Sequence, residues 1–139
     1  VYDNQSTYPT TLAEDIEATA EGVIDDSIDL AGWTIHLDAD FGGACPGDVG
    51  CTVIKTRSMF APFPSADQLV ADGEDRFPQG LINSTIAGIF CHELMHVWLH
   101  ETGQGDYGDC DPATHSTCPP FDFTQDPTSV CSKVAGEFD

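Results

Sequence analysis

Residues 84–103 read STIAGIFCHELMHVWLHETG, and the fold turns on this stretch. Ile86, Ile89, Phe90, Leu94, Val97, Trp98 and Leu99 recur at helical spacing and cover most of a helix's circumference. A helix that is apolar nearly all round belongs in the centre of a domain. Gly103 is its stop signal, because glycine accepts the left-handed conformation of a helix C-terminus. The spacing predicts a long central helix from about Ser84 to Thr102.

Within it lies His92-Glu93-Leu94-Met95-His96, an H-E-x-x-H pattern. Residues four apart sit one turn apart on one face, so two imidazoles can share a single metal ion. Glu93 is offset by about 100° around the helix. It can miss the metal and still reach a water beside it. A lone histidine on such a helix would be an ordinary core residue. Two at this spacing with a glutamate between them are costly to bury without partners. Two imidazoles with an oxygen donor suit Zn²⁺ best, although other transition metals accept the same set.

Working outward towards residue 1, the element order is that of an α+β domain. Residues 74–80 read as a loop. Ser65 and Gln68 form a capping box for a short helix that Gly73 closes. Residues 51–58 read as a strand through Val53 and Ile54, after a Gly-rich loop at 42–50. Trp33, Ile35, Leu37, Ala39 and Phe41 alternate with polar residues, which predicts a strand over 33–41 with one buried face. Thr11 and Glu14 form another capping box. Leu12, Ile16, Ala20, Val23, Ile24 and Ile28 then follow the helical period to about residue 30, with Gly32 ending the helix. Residues 1–10 read as an arm, and 104–139 as an irregular C-terminal part. No repeat or internal boundary divides residues 1–139, so one domain is expected.

The chain carries 24 Asp and Glu against 4 Lys and Arg, a formal charge of −20 over 139 residues. That excludes unaided nucleic-acid binding, which needs cations on phosphates. Anionic lipid surfaces would repel it. No apolar run approaches the ~20 residues of a membrane span. Asp38, Asp40 and Asp48, and separately Asp109 and Asp111, make Ca²⁺ a second candidate ion. They lack the ordered spacing of an EF-hand, and solvated loop acids are the better reading. The six cysteines fit an oxidising compartment. Cys45 with Cys51 and Cys110 with Cys118 are natural local pairs, leaving Cys91 with Cys131, among about 15 connectivities open to six cysteines. The opening Val-Tyr-Asp, without Met, fits a mature secreted form. Asn4 and Asn83 head glycosylation sequons that fit the same reading.

The H-E-x-x-H motif resembles that of the zincin metallopeptidases. The resemblance implies an active-site helix packed under a small twisted sheet, with peptide substrate along the sheet edge. Gly103-Gln104-Gly105-Asp106-Tyr107-Gly108 looks like a degraded form of the aspzincin (deuterolysin-like) signature G-T-x-D-x-x-Y-G, with Gln104 in place of its Thr and Asp109 in place of its Tyr. In that group the Asp is the third zinc ligand, which here is Asp106. The metzincin pattern H-E-x-x-H-x-x-G-x-x-H fails at Leu99. SprT-like proteases have a later third His, which His115 would imitate.

Taken together, the motif and the resemblance imply a secreted zinc-dependent endopeptidase, a hydrolase acting on peptide or protein substrates and expected to be a monomer. His92, His96 and Asp106 are the expected metal ligands, with His115 as rival to Asp106 and His100 as a weaker one. Glu93 is the expected general base. Tyr107 or His100 is the candidate oxyanion donor. Strand 33–41 or 51–57 is expected to offer the substrate an edge. The alternative is a non-catalytic metal-binding or interaction module on the same core, for which a shifted spacing of His96, His100 and Asp106 leaves room. His36, on the polar face of a strand, reads as a surface residue.

Overall fold

The computed structural model describes residues 1–38, 50–64, 70, 73, 76–103 and 127–139. Among these the fold is α+β. A four-stranded mixed sheet consists of β1 (Tyr2–Asn4), β2 (Thr34–Leu37), β3 (Cys51–Val53) and β4 (Ser58–Ala61) in the order β1-β2-β4-β3. The helices are α1 (Thr10–Ile24), α2 (Gln79–Glu101) and α3 (Pro127–Gly136). β1, β2 and β4 run parallel, and β3 is antiparallel to β4 at the edge. Parallel neighbours need a crossover connection, and α1 supplies it between β1 and β2.

Strand alternation sorts the side chains. Tyr2, Ile35, Met59 and Thr52 lie opposite one another across the four strands. Ile35 and Met59 are fully buried and join the helices in one core with Ile16, Phe63, Phe90, Leu94 and Val134. The next row, Asp3, His36, Phe60 and Cys51, points to the opposite face. There His36 stacks on Phe60 at 4.6 Å between centroids and reaches Asp3 with Nδ1 at 3.0 Å. The expected surface histidine is therefore half-buried, in a cross-strand cluster.

The central helix is longer than its pattern suggested, beginning at Gln79 directly after Pro78. From Glu93 to Leu99 seven consecutive residues are buried, so it runs through the middle of the domain. It ends at Glu101, where Gly103 takes φ +70° and its N–H bonds to the His100 carbonyl.

Several other expectations need correction. Helix α1 starts at Thr10 behind Pro9, with no side-chain cap, so the Thr11–Glu14 box does not form. It stops at Ile24, because Asp25 adopts a left-handed φ of 55°. The N-terminal arm contains β1, three residues too short to show a period. The expected strand 51–58 is two strands of a hairpin. A 3-10 turn at Ile54–Thr56 and left-handed Arg57 at φ 50° reverse the chain. The C-terminal part, expected to be irregular, contains α3, which packs on α2 and α1. Cys131 on α3 forms a disulfide with Cys91 on α2, the pairing expected by elimination. Cys51 is also disulfide-bonded. Its expected partner Cys45, and the Cys110–Cys118 pair, lie outside the described residues. So does most of the expected helix after Ser65. Asn4 sits on β1 and Asn83 inside α2. The Asn4 amide donates to the Tyr8 carbonyl at 2.8 Å. Among the described residues no helix is long and apolar enough to cross a membrane.

Candidate metal and catalytic site

His92, Glu93 and His96 occupy one and a half turns of α2 where the helix passes beneath the sheet's β3–β4 side. The helical rise alone brings the histidines together. Their rings are 4.9 Å apart between centroids at 80° to each other, and the two Nε2 atoms are 3.3 Å apart. Two nitrogens each 2.0–2.1 Å from one tetrahedral ion would be separated by about 3.3 Å. A direct N–H···N hydrogen bond fits the same separation. The donor pair's spacing is thus compatible with a shared tetrahedral ion.

Glu93 and His96 are each only 5% exposed. Burying such groups costs several kcal/mol unless they are hydrogen-bonded, on the order of 2–7 for an uncharged one. Among the described residues every buried side-chain nitrogen and oxygen has a partner. For Glu93 one partner is Thr52, whose Oγ1 donates to Oε1 at 2.7 Å. The same hydroxyl lies 3.3 Å from the Glu93 carbonyl oxygen. Thr52 is absent from the sequence-derived site. Its only sequence signal is a threonine at the phase of the strand that faces the core, legible only once the register with Met59 is known.

The end of the helix is fastened separately. Glu101 accepts from Trp33 Nε1 at 2.9 Å and from Arg57, whose guanidinium also lies 5.6 Å above the Trp33 ring. The Trp33 N–H, with the Arg57 cation, holds the Glu101 carboxyl below the usual range, against a smaller effect of burial. Trp98 Nε1 donates to Asp26 Oδ2 at 3.0 Å, just past the end of α1. His100 rests edge-on against Trp33, 6.2 Å between centroids.

Among the described residues no third His, Cys, Asp or Glu gathers with His92 and His96 into a metal-holding group. The candidate third ligands Asp106 and His115, and Tyr107, lie outside the described residues, as do Asp40, Asp48, Asp109 and Asp111. Of the two strands expected to offer an edge, β2 lies between β1 and β4, whereas β3 ends the sheet among the described residues.

The described fold is thus an α+β domain with a paired-histidine centre on its most buried helix. Comparison with protein-family models, curated proteins and solved structures finds no match to this chain.

Proposed function

We propose that this chain is a zincin-type zinc metalloendopeptidase. The observation that carries the reading is the 3.3 Å separation of two imidazole nitrogens on a buried helix, with a buried glutamate between them. His92 and His96 would hold the ion, and Asp106 is the proposed third ligand on the strength of its place after Gly103. When bound, Zn²⁺ would lower the pKa of a coordinated water to about 7 and polarise a scissile carbonyl.

The chain's own groups supply the rest. Glu93 accepts the proton of the attacking water and later delivers it to the leaving amine nitrogen. Edge strand β3 pairs with an extended peptide through its backbone, placing the peptide beside Glu93. The paired cysteines support an oxidising, extracellular setting. The acidic surface favours cationic substrates through long-range attraction.

The deciding experiment is cleavage of a mixed peptide library, with and without a zinc chelator. Cleavage that the chelator abolishes and added Zn²⁺ restores is the expected result. Tight zinc binding with no cleavage of any peptide would favour the non-catalytic module.

A further inference from the structure

Glu93 is held by a strand as well as by its own helix. Its Oε1 accepts the Thr52 hydroxyl at 2.7 Å, and both residues are more than nine-tenths buried. Thr52 is the middle residue of β3, the last strand of the sheet among the described residues. Its register with Met59 aims it at α2, and Met59 is aligned in turn with Ile35 on β2. Gly50, immediately before β3, is packed so closely that a Cβ there would lie 2.8 Å from the Phe60 carbonyl oxygen. The strand position that delivers the hydroxyl is therefore tightly set.

A glutamate side chain has three rotatable bonds, and its carboxylate must be oriented before it can act on a water. The helix fixes only the Cα. We propose that Thr52 is a positioning residue that locks the Glu93 carboxylate in its working orientation and ties the base to the strand along which the peptide lies. The inference rests on the peptidase reading above. It adds that the edge strand does more than bind substrate, because its side chain sets the geometry of the proton acceptor. A shift of the β3 backbone on peptide pairing would move the base with it.

The test compares Thr52→Val, which keeps the shape and removes the hydroxyl, with Thr52→Ser, which keeps the hydroxyl. Thr52→Val should lower kcat about ten- to a hundredfold, as misplacement of a catalytic group does, with KM changed less than about threefold. Zinc affinity, measured by chelator competition, should stay within about threefold of wild type, and Thr52→Ser should restore most of kcat. In a crystal structure of Thr52→Val the Glu93 carboxylate should turn away from β3. In a Glu93→Gln background, Thr52→Val should cost nothing further in kcat, because the group it orients is gone.

An active wild type that Glu93→Gln abolishes, with Thr52→Val at full kcat, would overturn this proposal and leave the peptidase reading intact. The same holds if the loss in Thr52→Val is confined to KM or zinc affinity. A wild type that cleaves no peptide, or a Glu93→Gln variant at full activity, would overturn both.

Discussion

In the proposed peptidase, Glu93 and the two histidines beside it would divide the work by position along one helix. Replacing Glu93 with Gln keeps its volume and its capacity to accept from Thr52. Zinc affinity should therefore persist while turnover falls by about 10²–10⁴, the usual contribution of a general base. Isothermal titration with Zn²⁺ alongside single-substrate kinetics would check both halves. A variant of near-normal turnover would remove Glu93 from the chemistry. Gly50 makes a different kind of demand. A methyl group there would stand 2.8 Å from backbone, at the Phe60 carbonyl oxygen, which cannot swing aside as a flexible side chain would. Gly50→Ala should destabilise the chain by about 1–3 kcal/mol, the usual cost of overpacking. Urea unfolding with an unchanged midpoint would contradict that. The three motif residues were legible in the sequence because a single helix brings them together. Thr52 was not, since 41 residues separate it from Glu93 and only the sheet register makes them neighbours.

The β3–β4 hairpin and α2 are tied at both the site and the helix end, the latter through Arg57, Trp33 and Glu101. Because the folded state holds the Glu101 carboxyl below its usual value, it binds that proton less readily than the unfolded chain does. The resulting stabilisation is complete above the usual carboxylate range and is lost as pH falls through the folded value. Glu101→Gln should lower the urea midpoint at pH 7, and the gap to wild type should close as pH drops below roughly 4. A gap that stays constant with pH would show that charge is not what Glu101 contributes. Joining α2 to α3, the Cys91–Cys131 bridge closes a loop of 40 residues. Replacing both cysteines with Ala should cost about 3–4 kcal/mol in the chain-entropy account, read from denaturant midpoints of the two proteins. The long periodic elements were readable for a reason: α1, α2 and the alternating β2 each carry enough residues to display their period. β1 has three residues and takes its identity from pairing with β2. The hairpin turn of Ile54, Lys55, Thr56 and Arg57 has no Gly, Asn or Pro to announce it. Tertiary packing, and the disulfide, mark α3 more clearly than its sequence does.

At the scale of the whole molecule the dominant fact is a formal charge of −20. Self-repulsion of that size opposes compaction, and added salt screens it. Raising NaCl from 0.02 M to 1 M should lift the thermal midpoint by on the order of 5 °C. A midpoint that does not rise would mean that the acids repel one another too weakly to matter. The cysteines bring a further consequence, one of kinetics and order. Cys110 and Cys118 lie between Cys91 and Cys131 in the chain, so both are nearer to Cys91 along it than Cys131 is. In a reduced, unfolded chain the shorter loops close more readily, so until Cys110 and Cys118 pair with each other both compete with Cys131 for Cys91. In the folded chain Cys131 meets Cys91 where α3 is seated on α2, so the bond and the apolar packing of the two helices support each other. Refolding from the fully reduced protein should therefore be paced by thiol exchange, taking seconds to hours and quickening with a disulfide isomerase. The same chain unfolded with its bridges intact should skip that wait.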